Sequence, residues 1–248
     1  MKKVALITGA NRGIGLETTK QLGKKGYHVI LTSRDEAKGQ AAVAAFQKEG
    51  LDVSFCPLDV ADQKSVDAAL AWVKKNVGRL DVLVNNAGVF LESRDGGSTV
   101  ETGDIQVIRD TLEINTYGVF RMCQAFIPMM VAQKYGRIVN LSSGMGQLTD
   151  MNGGYPAYRI SKTAVNAITR IFANETQGTG VLINSVCPGW VKTDMGGAAS
   201  RAELGRWSGH RGLVFDAAFG RTDWKVLQGP RADRLVSARI LSTTGGCV

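Results

Sequence analysis

Short apolar runs alternate with segments of helical period along this chain, and that alternation is what most limits the folds open to it. Val4–Thr8, His28–Thr32, Val53–Cys56, Val82–Asn85, Ile138–Ser142 and Leu182–Val186 read as strands. Between them Gly13–Lys25, Ala37–Lys48, Lys64–Asn76, Asn115–Val131 and Ala157–Glu175 carry apolar residues at helical spacing. Repeated β-α units specify a parallel sheet, with right-handed crossovers that put helices on both faces. Strands covered on both faces read as near-continuous apolar runs, and these do. The fold class is therefore α/β, a single doubly wound parallel sheet.

The chain has 248 residues, 44% hydrophobic and 21% charged, enough for one large core. Before residue 196 there is no internal boundary and no fixed-period repeat, and S-R-D-G-G-S-T-V-E-T-G at 93–103 reads as a surface loop. No run of 18 apolar residues occurs, so no membrane partner is expected. The opening M-K-K-V-A-L-I-T-G starts like a signal peptide, but its apolar run is short and flows into a glycine turn, as a buried first strand would. Cysteines at 56, 123, 187 and 247 form no C-x-x-C, and there are two histidines, so no metal site is expected. Reduced thiols and a cytoplasmic location fit that pattern. The net charge of +8 is uneven: residues 198–248 hold eight Lys/Arg against four Asp/Glu. No basic stripe interleaved with aromatics precedes them, which argues against a nucleic-acid partner.

T-G-A-N-R-G-I-G, residues 8–15, joins the first strand to the first helix. Gly9, Gly13 and Gly15 permit a tight turn and let the backbone approach a pyrophosphate, which the helix N-terminus then attracts. A Rossmann-type dinucleotide site follows, although the spacing is G-x-x-x-G-x-G. The second strand ends T-S-R-D, placing Arg34 where an acidic residue would bind a ribose 2′-hydroxyl, and Arg12 lies inside the turn. Two guanidiniums favour a 2′-phosphate, hence NADP(H) over NAD(H). Asp35 is the counter-indication, since it can reach back to a hydroxyl.

Y-R-I-S-K places Tyr158 and Lys162 four apart, on one face of a helix. A nearby ammonium is expected to lower the phenol pKa and make Tyr158 a general acid for carbonyl reduction and a base for the reverse. Tyr155 has Arg159 four residues on and is the lesser candidate.

With these motifs in one order, residues 1–197 resemble the short-chain dehydrogenase/reductase family, most of all its monomeric-type carbonyl reductases. The resemblance runs through Thr8–Gly15, with Asn11 and Ile14 inside the turn; L-D-V at 58–60, with Asp59 and Val60; N-N-A-G at 85–88, with Asn86, Ala87 and Gly88; and E-I-N-T at 113–116. It continues through the serines of 142–143, Tyr158 and Lys162, and P-G-W-V-K-T at 188–193, with Pro188, Gly189, Val191 and Thr193. It implies that these segments line the cofactor, Asp59 on the adenine side and Pro188–Thr193 beside the nicotinamide. It implies that Ser143 orients the substrate carbonyl, that Tyr158 donates the proton, and that Lys162 binds ribose hydroxyls and tunes Tyr158. Asn115 would hold helix geometry and a proton-feeding water. Ser142 competes with Ser143 for its role, although strand alternation should turn it away. Asn115 can also be read as the cap of the helix that begins there.

The resemblance ends near 197, and 198–248 show neither the helix nor the last strand that the family implies. Codons allowed for 205–235, read one base later, can spell a peptide resembling both. A reading-frame slip within 198–206 is the favoured explanation and a divergent tail the other. The last strand is thus expected to be missing or altered, with 198–248 an atypical, poorly ordered segment after a 1–197 cofactor-binding and catalytic domain. The leading reading is an NADP(H)-dependent oxidoreductase acting on a small-molecule carbonyl or alcohol. The alternative is a cofactor-binding protein without turnover. The sequence leaves monomer and homo-oligomer open.

Overall fold

One parallel sheet organises the computed structural model, which describes residues 2–92, 98–99, 101–149 and 151–195. Its strands are β1 (Val4–Ile7), β2 (His28–Ser33), β3 (Val53–Pro57), β4 (Val82–Asn85), β5 (Gly136–Leu141) and β6 (Val181–Val186). Their order is β3-β2-β1-β4-β5-β6, every pair parallel. The helices are α1 (Gly13–Lys24), α2 (Glu36–Lys48), α3 (Gln63–Asn76), α4 (Ile105–Leu112), α5 (Gly118–Ala132) and α6 (Pro156–Glu175).

Alternation along the strands divides the core in two. Leu6, Ile30, Leu83, Ile138 and Ile183 face Val66 and Val73 of α3, Met122 and Phe126 of α5, and Val165 of α6. Ala5, Ile7, Val29, Leu31, Val84 and Val139 face Leu22 of α1 and Val43 and Phe46 of α2. All four residues of β1 are buried, as a central strand covered on both faces requires. The chain runs outward from β1 to β3, then crosses back to lay β4 on the other side of β1. The strand order reverses there, and a crevice opens beyond the C-terminal ends of β1 and β4.

The expected strands all form, with ends shifted by no more than two residues. The helix expected to begin at Asn115 does not begin there. It is preceded by α4, capped by Asp104 on the Gln106 amide at 2.8 Å, and the two are joined by a π-helical turn over Glu113–Tyr117. An extra residue in that turn shifts the apolar face, so one helical period cannot be followed from 105 to 132. The expectations for 198–248, a frame slip, poor order and a missing or altered last strand, concern residues outside those described, as does most of the 93–103 loop.

Phe126 is among the largest fully buried side chains. Phe126→Ala should destabilise the fold by about 3–5 kcal/mol in urea unfolding. Ile171→Ala, at a 52% exposed position, should change it by less than about 0.5 kcal/mol. Similar losses at both positions would contradict this core assignment.

Candidate active site

The crevice at the β1/β4 switch is built on a lock between the two strand exits. The Thr8 hydroxyl accepts from the Asn86 and Ala87 amides, at 3.0 and 2.9 Å. The Asn86 side-chain amide donates to the carbonyls of Thr8 and Gly9, at 2.8 and 3.0 Å. Gly9 adopts φ +61°, and a Cβ there would lie 3.0 Å from Ala87 Cα. A Cβ on Gly15 would lie 2.5 Å from Asn86 Nδ2 and 2.8 Å from the Gly9 carbonyl oxygen. Neither position accepts a side chain without moving the turn.

The start of α1 faces this crevice and carries no side-chain cap and no acidic residue in its first turn. By contrast α2, α3 and α4 are capped by Asp35, Asp62 and Asp104, and the first amides of α6 are taken by Glu92. Among the described residues α1 therefore keeps its amides and positive dipole end for an external anion. These residues fit a dinucleotide's pyrophosphate.

Arg12, Arg34 and Lys38 line the neighbouring part of the cleft. Asp35 is turned to other work. Its carboxylate accepts from the Lys38 amide at 3.0 Å and pairs with the Lys38 ammonium at 2.9 Å. The Lys38 amide, foremost, holds its carboxyl below the ordinary range. Arg12 forms an exposed ion pair with Asp194 at 2.9 Å, across the cleft mouth. Asp59 accepts from the Ala61 amide at 3.0 Å, which fixes the loop carrying Val60.

At the other end β5 and α6 bring Ser143, Tyr158 and Lys162 together. The Ser142 hydroxyl donates to the Lys162 carbonyl at 3.3 Å, so it is tied to the α6 backbone. The Ser143 hydroxyl accepts from the Met145 amide at 3.2 Å and sits close enough to the Tyr158 phenol to lower its pKa. The two serines thus differ in what engages them, although both line the cleft. Asn115 is fully buried inside the π-helical turn and caps nothing. Its amide donates to the Val89 carbonyl at 2.9 Å and to Ser161 Oγ at 3.1 Å, and its oxygen accepts from the Val89 amide at 2.8 Å. Lys162 is 6% exposed, donates to the Leu141 carbonyl at 2.8 Å, and lies 5.6 Å from the Tyr158 ring centre.

One electrostatic expectation is reversed. Burial, with a smaller push from Cys187, raises the Tyr158 phenol to about 12, against the lowering influence of Ser143. Burial lowers Lys162 to about 8. Desolvation is the largest cause at both groups. Tyr158 is therefore protonated at neutral pH.

The candidate catalytic and cofactor-binding residues line one open cleft of about 1570 Å3 except Gly15 and Asn115, which support its wall from behind. Pro188, Gly189, Val191 and Thr193 close it opposite Gly13. Such a volume exceeds the roughly 300–1,000 Å3 of a pocket for one small ligand. Sequence reading missed Lys38, Phe90, Glu92 and Cys187. A lysine three residues after a capping aspartate was a usable signal for the first. The contacts of Glu92 with residues 157 and 158 span more than sixty positions, and nothing local announces them.

A doubly wound sheet with an uncapped glycine turn at its switch point, facing a half-buried tyrosine over a buried lysine, defines a dinucleotide-binding protein of the dehydrogenase class. The chain belongs to the short chain dehydrogenase family, whose family model matches residues 3–204, slightly past the last shared motif. It is 35% identical over 252 residues to (+)-neomenthol dehydrogenase of Arabidopsis thaliana, with 78% of this chain and 84% of that protein covered. It is 36% identical to mouse carbonyl reductase [NADPH] 3, over 78% of this chain and 83% of that one. The NADPH-bound carbonyl reductase from chicken fatty liver superposes with a TM-score of 0.75 at 30% identity, covering 84% of this chain and 88% of the other. No helix among the described residues is long and apolar enough to cross a membrane.

Burial also raises Tyr27 and Cys123 to about 12 and Cys56 to about 11. For these acids and Tyr158 the folded pKa lies above the unfolded one. Their stabilisation is whole below about pH 9 and is lost as pH rises through 11–12. Lys162 has the opposite sign, and its penalty is relieved between about pH 8 and 10.5. The melting temperature should hold to about pH 9.5 and then fall steeply. Tyr158→Phe should soften that fall, as a pH series of thermal melts would show.

Proposed function

We propose that this protein is an NADP(H)-dependent oxidoreductase that interconverts a small-molecule carbonyl and its alcohol. The observation that carries this reading is Tyr158, protonated at neutral pH, beside Ser143 and flanked by Lys162, at one end of a cleft whose other end is the uncapped α1. A bound nicotinamide supplies or accepts the hydride. Ser143 orients the carbonyl oxygen, Tyr158 gives that oxygen a proton, and Lys162 holds positive charge beneath the site. Asn115 positions Ser161 and the Val89 backbone behind them. Gly88 keeps the approach to Lys162 open, since a Cβ there would sit 3.7 Å from its Nζ and 3.2 Å from Asn115 Oδ1.

The 2′-phosphate preference rests on Arg12, Arg34 and Lys38, with Asp35 engaged as a cap. The Arg12–Asp194 pair is about three-quarters exposed on both sides, worth about 0–1 kcal/mol, and yields readily to a phosphate dianion. Two of the similar proteins carry NADPH in their names. A secondary alcohol such as neomenthol, or a ketone, is the substrate class these names suggest for trial. The departure of 198–248 from the family pattern favours a second reading, a chain that binds cofactor without turnover. Sequencing the coding DNA across codons 196–248 tests the frame slip behind it.

Fluorescence titration should give a Kd for NADPH at least tenfold below that for NADH. Arg34→Ala should erase most of that difference, on the order of 1.5–3 kcal/mol for a charged hydrogen bond. Equal affinities in the parent would defeat the 2′-phosphate assignment.

Tyr158→Phe keeps the ring and removes the proton. Carbonyl reduction should drop by a factor of 100 or more with NADPH binding intact, while Tyr155→Phe should retain most of the rate. A Tyr158→Phe variant that keeps the parental rate defeats the acid assignment. Tight NADPH binding by a parent without turnover supports the second reading.

A further inference from the structure

The helix that bears Tyr158 has a weak beginning. Tyr155 precedes it in the left-handed region, at φ 55° and ψ 49°, and offers no side-chain cap. Pro156 follows and has no amide to give. Tyr158 thus sits in the first turn, the part of a helix most exposed to fraying. Its phenol can point steadily only if that turn is held from outside.

A short strap does so. Val89 is fastened at both its amide and its carbonyl to the Asn115 side chain. The Phe90 ring packs 5.3 Å from that of Tyr155 and 5.0 Å from that of Tyr158. The Glu92 carboxylate then accepts from the Ala157 amide at 3.1 Å and from the Tyr158 amide at 2.9 Å, one oxygen each. The Arg159 amide turns back to the Tyr155 carbonyl, and the Tyr155 amide donates to the Ser98 carbonyl. Every amide of the first turn is accounted for. Glu92 is 5% exposed, and no lysine or arginine among the described residues pairs with it. A buried carboxylate held by two amides and a helix dipole is stable in one place only, because any shift strips its compensation.

We propose that Glu92 is a positioning residue for Tyr158: seated on the Ala157 and Tyr158 amides and steadied by Phe90, it fixes the first turn of α6 and the direction in which the phenol presents its proton. This rests on the reading of Tyr158 as proton donor, and it adds a residue outside the motifs that mark the site. The strap also joins Asn115 to Tyr158 through four consecutive residues, so the π-helical turn and the start of α6 are set by one element.

The test compares the parent with Glu92→Ala, Glu92→Gln and Tyr158→Phe, using NADPH and 4-nitrobenzaldehyde. Glu92→Ala should lower kcat at least tenfold, counted per NADPH-binding site, with the Kd for NADPH within twofold of the parent. The solvent deuterium isotope effect should grow, because a misaimed proton transfer becomes limiting. Amide exchange at Ala157 and Tyr158 should quicken at least tenfold, with little change beyond the second turn of α6. Glu92→Gln keeps one accepting oxygen and should fall between, and it carries the test if the alanine variant does not fold. An unchanged kcat per site and isotope effect would make Glu92 a structural cap only and overturn the inference, as would parental exchange at both amides. If Tyr158→Phe abolishes turnover while the Glu92 variants keep it, this inference alone fails. If the parent reduces no carbonyl, the proposed function fails and this inference falls with it.

Discussion

The lock between the exits of β1 and β4 is the constraint on which the rest of the site depends. One asparagine amide and one threonine hydroxyl tie Thr8, Gly9, Asn86 and Ala87 into a single rigid junction. The glycine turn can then pass within contact distance of Ala87, and α1 can start with bare amides aimed at the crevice. A loose junction would let those amides find water or a side chain. The same asparagine fills the space beside Gly15, so the turn, the first helix and the N-N-A-G segment have one joint solution.

Desolvation dominates the ionisation of the two groups at the other end. A phenol and an ammonium this close attract most strongly when both are charged, and sequence reasoning expected that attraction to prevail. Burial instead pushes both toward their neutral forms, the phenol up and the ammonium down. In the proposed reaction the protonated phenol gives its proton to the oxygen on which negative charge develops as the carbonyl is reduced. For the reverse reaction the same group must first be ionised against that burial. Under the proposed function, the protein's own groups thus lean the site toward proton donation at neutral pH.

The sheet was legible because buried parallel strands write themselves as apolar runs, and the cofactor cleft because its glycines and polar residues recur in fixed local motifs. What escaped has physical reasons. The π-helical turn at Glu113–Tyr117 breaks the helical period, which hid α4 and made Asn115 resemble a cap. Lys38 went unremarked because it is the start of α2 that brings it to the cleft. The raised phenol pKa depends on burial from several elements at once, which no local pattern records. Glu92 acts over a long sequence separation through backbone amides, and amides leave no trace in side-chain identity.

The two ends of the cleft are solved by opposite treatments of the same physical object. Each is the start of a helix, with unpaired amides and a positive dipole end. At α1 the amides stay open, no acidic residue stands in the first turn, and the turn is kept rigid from behind by Asn86. At α6 the amides are closed by a buried carboxylate, which denies that terminus to any ligand anion and turns it into a mount for a side chain. An acid at the head of α1 would repel a pyrophosphate, and an uncapped α6 would compete for it while leaving Tyr158 free to wander. Under the proposed function, the placement of one carboxylate, present at α6 and absent at α1, therefore puts anion binding and proton donation at opposite ends of a single groove.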